Sequence, residues 1–391
     1  MIKRITYLLF IALLTISCTM NKRDKTAEDT LNDSILDYGE MYMLVGTYTS
    51  NEGSKGIYVY KFDTETGESD SISMVEVANP SYLVISPNEK FIYSVGENMG
   101  DDGFAHSFSF DKQTGDLELL NSQNTQGSSP AYIALDSKGN NVITANYGGG
   151  SISQFNVNAD GTLSPLTNLF TFKGKGPDPA RQEQPHLHSV RYSPDGLFLF
   201  AADLGTDNIY RYKSIHSVFE GQPALLETDT AIFKTPAGTG PRHFDFHPNG
   251  LYFYVIGELS GEVIVYDYNM GDLQQKQIIL ADKVGARGSA DIHVSPNGRF
   301  LYASNRLEND GIAIFAIDAQ DGTLTKVGYQ ETARHPRNFV ITPNGNFLLV
   351  AGRDDNVIQV YSVDKETGLL TDIDQDIEID KPVCIKFTRL N

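Results

Sequence analysis

The chain repeats itself seven times, and this periodicity restricts its fold more than any single residue does. Six copies of a strand that runs into a turn stand at YLVISPNEKF (82–91), YIALDSKGNN (132–141), SVRYSPDGLF (189–198), HFDFHPNGLY (243–252), DIHVSPNGRF (291–300) and NFVITPNGNF (338–347). Each leads to a second apolar strand ending in a short polar motif: VGEN (95–98), ANYG (145–148), ADLG (202–205), IGEL (256–259), SNRL (304–307) and AGRD (351–354). A seventh motif, VGTY (45–48), stands near the start without a first strand ahead of it, and the seven recur every 47 to 57 residues. A third strand and a hairpin complete each unit, as in AIFAIDAQDGTL (313–324), where Asp-Gly supplies the positive φ of a tight turn. Strand-rich repeats of this length, with no helical periodicity between them, predict β-propeller blades of about four strands.

The missing first strand is at the far end, where KPVCIKFTRLN (381–391) has the phase of HPRNFVITPNG. It is expected to complete the blade begun at MYMLVGTYTS (41–50), which closes the ring and removes the free sheet edges. The fold class is therefore all-β: a single seven-bladed β-propeller over 41–391, closed by pairing of the C-terminal strand with the N-terminal blade. Two separate all-β domains would need a linker, and none interrupts the repeat.

The residues before the repeat read differently. MIKRITYLLFIALLTISC places Lys3 and Arg4 before an apolar run and ends on Cys18. Such a run is short for a membrane-spanning helix and resembles a bacterial lipoprotein signal (1–18), in which Cys18 becomes the lipidated first residue. Residues 19–40 are polar and aperiodic, as a flexible tether would be. A cell-envelope location follows, with the membrane reached only through the lipid; the cytoplasm is the alternative if this segment is no signal. Removing Cys18 from the count leaves Cys384 alone, inside the apolar PVCIKF, so no intramolecular disulfide is expected. The formal charge of −19 argues against nucleic acid as a partner, and an anionic ligand would need a local cationic patch.

Equivalent positions of the repeat can be compared within this one chain. The start of each innermost strand gives Ser81, Ala131, His188, Arg242, Ala290, Arg337 and Val383; the end of each second strand gives Thr47, Glu97, Tyr147, Leu204, Glu258, Arg306 and Arg353. The structural positions are uniformly apolar, whereas these two phases collect a histidine, two glutamates and four arginines. Innermost strands line a propeller's channel, so these side chains are expected at its mouth, where four arginines need carboxylates or a bound anion to offset their repulsion. Plainer roles are open for several of them. Glu258 and Arg306 can form a structural ion pair between blades, Arg337 and Arg353 can hold loop carbonyls, and Glu97 reads as a solvated rim residue or a second carboxylate of the site. His186 and His188 share one face of an extended segment, a spacing that zinc also uses, but only Glu183 offers a third ligand and no metal site is assigned. His243, Asp245, Asp291 and His293 lie on neighbouring innermost strands, His293 reading as buried and structural. No GxSxG elbow accompanies them, which argues against a Ser–His–Asp hydrolase.

GTYTS (46–50), QPHLHSV (184–190), GTGPRHFDFHPNG (238–250), GEL (257–259) and ASNR (303–306) together resemble the seven-bladed propeller lactonase family, whose members include 6-phosphogluconolactonases of the propeller type and carboxymuconate-lactonising enzymes. The resemblance covers the whole mature chain. It implies hydrolysis of a sugar δ-lactone, 6-phosphogluconolactone foremost, with no metal or organic cofactor. Carried onto this sequence, the family's site falls on His188, Arg242, Glu258 and Arg306. His188 or Glu258 would be the general base and Arg242 and Arg306 would hold and polarise the substrate, with His186, Arg337 and Arg353 as further binding residues. Two other readings stay open: ring closure on a carboxymuconate-like dicarboxylate, and a non-catalytic, envelope-anchored binding module.

Overall fold

The computed structural model describes residues 39–215 and 224–390. The lipoprotein-type segment with Cys18, and the tether up to residue 38, lie outside the described residues. From residue 39 on, alternating apolar and polar positions form strands, and the single helical element among the described residues is a 3-10 turn at Gly100–Asp102.

Seven antiparallel sheets follow one another along the chain, six of four strands and the last of five. The innermost strands of blades two to seven are Leu83–Ile85, Pro130–Leu135, Leu187–Tyr192, Pro241–Phe246, Ile292–Val294 and Pro336–Ile341. Blade one is built from both ends of the fold. Pro382–Arg389 pairs with Glu40–Thr47 from Met41↔Arg389 to Gly46↔Cys384, and Gly56–Asp63 and Ser69–Glu76 continue the sheet outward. Closure by the C-terminal strand is thus as the repeat phase requires. Gly46 belongs in that ladder because a Cβ there would lie 2.2 Å from the Pro80 carbonyl oxygen. Cys384 is fully buried opposite it.

The turns after the innermost strands explain their own sequence. Gly139, Gly196, Gly250, Gly298 and Gly345 all sit at φ between 70° and 74°, where a Cβ is strained. Blade two has Glu89 instead, at φ 56°. Its carboxylate lies 2.7 Å from Lys112 Nζ and 3.7 Å from Arg389 Nε, so the side chain that strains the turn also ties it to the closing strand.

Neighbouring blades are fastened by a recurring hydrogen bond that the turn motifs do not announce. Tyr93, Tyr254 and Tyr302 on second strands each donate to the carbonyl of a hairpin glycine in the next blade, Gly161, Gly322 and Gly368, at 3.1, 2.9 and 2.9 Å. Buried apolar side chains pack around these bonds, as Ile256, Val265 and Leu301 do in the cluster that holds Tyr254. At the closure seam, buried Phe62 meets Phe347 edge-on at 6.1 Å and Phe387 at 5.4 Å. Phe62→Ala empties that contact and should cost about 3–5 kcal/mol. Urea unfolding should show a lower midpoint with the same single transition; an unchanged midpoint would mean that the seam does not limit stability.

Candidate active site

Five of the inner-phase residues sit at breaks in the β-ladder. Pairing of the innermost with the second strand skips Ala131, His188, Arg242 and Arg337, and closing-strand pairing skips Val383 in the same way. A bulge of this kind frees one residue from the pleat and re-aims its side chain. Here the freed side chains converge: Ser81, Ala131, His188, Arg242, Arg337 and Val383 line one cavity, together with Tyr82, His243 and Asn338. Ala290 completes the phase through its carbonyl, which accepts from Arg242 Nη1 at 2.5 Å.

Above this layer three arginines share one carboxylate. Glu258 Oε2 lies 2.8 Å from Arg242 Nε and 3.3 Å from Arg306 Nη2, while Oε1 accepts from Arg181 Nη2 at 2.6 Å. The Arg242 Nε–H is not aligned with the carboxylate despite the short distance, so that contact is an ion pair without a hydrogen bond. Burial alone would push the Glu258 carboxyl up, but Arg306, Arg242 and Arg181 outweigh it and hold the group down to about 2. The arginines do not gain equally. Burial pushes Arg306 down to about 9, still charged at neutral pH, and it lowers Arg242 as well, with neighbouring Arg337 adding to the effect. One carboxylate divided among three guanidinium groups leaves positive charge uncompensated.

Two further pairs extend the cluster. Glu97 accepts from the Tyr48 hydroxyl at 2.8 Å and lies 3.3 Å from Arg337 Nη2, and the Arg337 guanidinium sits 5.4 Å from the centre of the Tyr48 ring. Glu97 is therefore not a solvated rim residue; it is a second, half-buried carboxylate of the cluster. Arg337 holds this carboxylate and not a loop carbonyl. Arg353 pairs with Asp354 at 2.7 Å, and His335 stands between Arg353 and Arg306, with ring nitrogens 3.1 and 3.2 Å from their guanidinium groups.

His188 lies under the arginines with 5% of its surface exposed, its ring edge-on to Tyr147 and His243 at 5.4 and 5.2 Å. Burial, then the charges of Arg242, His243, Arg337 and Arg306, holds its pKa well below the ordinary imidazole value, so the ring is neutral. His186 does not join it. Its Nδ1 lies 2.9 Å from the Tyr147 carbonyl oxygen, its ring stacks on Tyr147 at 4.4 Å, and its Nε2 is 3.4 Å from Glu183. Among the described residues no group of three or more His, Cys, Asp or Glu side chains is placed to hold a metal ion. His293 is 22% exposed, so it is not buried; it lies 3.1 Å from Asp291 and 3.8 Å from Asp245.

Sequence reasoning overlooked Arg181, Tyr48 and His335. Arg181 lies on the long loop before QPHLHSV, outside the repeat, so no comparison of equivalent positions reaches it. Gln182 fixes that loop, donating from Nε2 to the Leu204 carbonyl and to Asp207 Oδ1, both at 2.8 Å. Tyr48 lies inside the GTYTS motif, one residue beyond the phase compared.

With this geometry in place, comparison with known proteins is direct. The family model described as "Lactonase, 7-bladed beta-propeller" matches residues 42–387. A 6-phosphogluconolactonase of Formosa agariphila is 40% identical over 86% of this chain and 96% of its own length. The crystal structure of a candidate 6-phosphogluconolactonase from Bacteroides fragilis superposes with a TM-score of 0.87 at 51% identity, covering 91% of this chain and 99% of that one. The periplasmic gluconolactonase of Pseudomonas aeruginosa does so with a TM-score of 0.83 at 32% identity, covering 90% and 100%. The fold and these matches define a propeller of the lactonase type. The chain belongs to the seven-bladed β-propeller lactonase family.

Glu258→Gln would leave three buried or half-buried arginines without their shared counter-charge and should destabilise the fold by about 3–5 kcal/mol at pH 7. Because the folded-state pKa is depressed, this stabilisation is complete above the ordinary value of 4.5 and is lost as pH falls toward about 2. Urea unfolding of both proteins should therefore show a gap that is constant from pH 7 to 5 and closes on further acidification. A gap independent of pH would refute the charge assignment.

Proposed function

We propose that this protein hydrolyses a sugar δ-lactone at the channel mouth, with 6-phosphogluconolactone as the preferred substrate, and that His188 is the general base. The observation that carries the reading is the charge balance of the cluster. Five arginines, Arg181, Arg242, Arg306, Arg337 and Arg353, are paired with three carboxylates, Glu97, Glu258 and Asp354. The surplus suits an anionic substrate, and a phosphate dianion would neutralise it. The names of the related 6-phosphogluconolactonase and gluconolactonase support the lactone class.

Of the two base candidates, Glu258 has both carboxylate oxygens engaged by Arg181, Arg242 and Arg306, whereas His188 is held by no such ion pair. Glu258 acts instead to orient Arg242 and Arg306. His188 is neutral and retains a lone pair. In the reaction His188 takes a proton from water as the water oxygen attacks the lactone carbonyl carbon, and Arg242 and Arg306 stabilise the resulting oxyanion. Collapse breaks the bond from the carbonyl carbon to the ring oxygen, which receives the proton from the imidazolium and leaves as a hydroxyl. The product is the open-chain acid. Arg181 and Arg353, the most exposed of the five arginines, are positioned for the phosphate.

In a pH-stat assay of both lactones, His188→Ala should lower kcat by about 10²–10⁴-fold. Arg353→Ala should raise KM for the phosphorylated lactone by about 10–100-fold and leave the unphosphorylated one nearly unchanged, as loss of one charge-assisted contact predicts. If the protein opens neither lactone faster than buffer does, the enzymatic reading is wrong and a binding module remains. With the imidazole pKa depressed, kcat/KM after subtraction of the spontaneous rate should stay level from pH 8 to below 6.5. With the unphosphorylated lactone, which lacks a phosphate titrating near about pH 6, an acid limb at the ordinary histidine value would exclude His188 as the base.

We further infer that Cys18 anchors the protein in the cell envelope through a lipid. The basic-apolar-Cys leader supports this, as does the periplasmic gluconolactonase of the same fold. Cys18→Ser should move the protein from the membrane to the soluble fraction; continued membrane association would sink the anchor.

A further inference from the structure

Beneath the arginine layer, the cavity lined by the inner-phase residues measures about 10 Å³. That volume accepts the centre of one water molecule and little more. Three of its lining side chains bring polar atoms that are sealed from solvent and have no protein partner: Ser81 Oγ from blade two, His188 Nδ1 from blade four and His243 Nε2 from blade five. Such atoms are costly to bury unpaired, and about three polar partners is the usual complement of a buried water.

The far side of His243 fixes its chemistry. Asp291 Oδ1 lies 2.7 Å from His243 Nδ1, and the same carboxylate accepts from Asn338 Nδ2 at 2.5 Å and lies 3.1 Å from His293 Nε2. Burial would raise Asp291, but His293 and His243 with these hydrogen bonds outweigh it and keep the acid ionised. An ionised acceptor requires the proton of His243 on Nδ1, and its Nε2, buried without a protein partner, is therefore an acceptor.

We propose that one ordered water in this cavity joins His188 Nδ1, His243 Nε2 and Ser81 Oγ, and that the His243–Asp291 pair acts through it as a positioning pair that keeps His188 protonated on Nδ1. The water donates to His243 Nε2 and accepts from His188 Nδ1–H. The opposite His188 tautomer would aim an N–H at a mouth already crowded with the donors of Arg242, Arg306 and Arg337. The lone pair of His188 is thus left on Nε2, away from the cavity. When Nε2 takes a proton, Asp291 offsets the new charge through the water while no proton passes along the chain, as in other carboxylate–imidazole arrangements. The inference rests on His188 as the general base, but its tests do not all depend on activity.

A high-resolution crystal structure of the full chain should show a water within hydrogen-bonding distance of all three atoms. Two-bond ¹⁵N–¹H spectra should place the His188 proton on Nδ1. His243→Phe should shift that proton to Nε2 and lower kcat by about 10–100-fold, the effect typical of an orienting partner, while KM changes by less than about threefold. Ser81→Ala removes one partner of the water without disturbing Asp291, and should loosen the water while keeping the tautomer. An unoccupied cavity, or a wild-type His188 protonated on Nε2, would overturn the proposal even if the protein is a lactonase. If neither lactone is hydrolysed, the functional reading fails, and the crystallographic and spectroscopic results still decide whether the water and its tautomer exist.

Discussion

A site assembled from several blades can hold its shape only if the ring is shut, and the ring is shut by one antiparallel ladder. Pro382–Arg389 against Glu40–Thr47 supplies it. The channel carries that closure inward. Ile385 on the closing strand donates to Asn338 Oδ1 at 2.8 Å, Asn338 donates to Asp291, and Asp291 meets His243. On the other side Ser189 donates to the Arg242 carbonyl at 2.6 Å, and Asp245 accepts from Arg191 Nη1 at 2.5 Å and from the Val294 backbone at 2.9 Å. Blades four to seven and blade one are thus joined by buried polar contacts at the axis, as well as by aromatic packing further out. Arrangements of this kind rigidify when every member is satisfied.

The same ladder geometry explains how a monotonous repeat carries chemistry. A regular strand would pair every innermost residue and send alternate side chains into the seams between blades. The bulge at His188, Arg242 and Arg337 withdraws one residue per strand from that pattern. Small apolar residues occupy the same bulge at Ala131 and Val383. Structure and function are therefore separated by one position in the register. Blades can keep a common apolar code while their bulged residues diverge.

That separation governs what could be read from the chain. The blade count, the closure by 381–391 and the convergence of His188, Arg242 and Glu258 were legible because repetition provides an internal alignment. Arg181 was not, since it sits on a loop that no other blade possesses. Glu97 was misjudged for a different reason: its burial depends on Arg337, which is 240 residues away in sequence and adjacent only once the ring closes. The split between His186 and His188 was legible in part, since only His188 stands at the repeated phase. What the pattern lacked was the bulge that turns His188 into the channel and leaves His186 stacked on Tyr147.

The loop that carries Arg181 has an implication for how such proteins diverge. It contributes a charge to the centre of the site, yet Gln182 and the Arg287–Asp178 ion pair hold it, and it adds no strand to any ladder. Lengthening, shortening or recharging this one segment would change the charge beside Glu258 without touching any ladder. The histidine, the shared glutamate and the ring that presents them would remain as they are. The charge that this loop presents is thus a detachable feature, set apart from the ring of blades that holds His188 and Glu258.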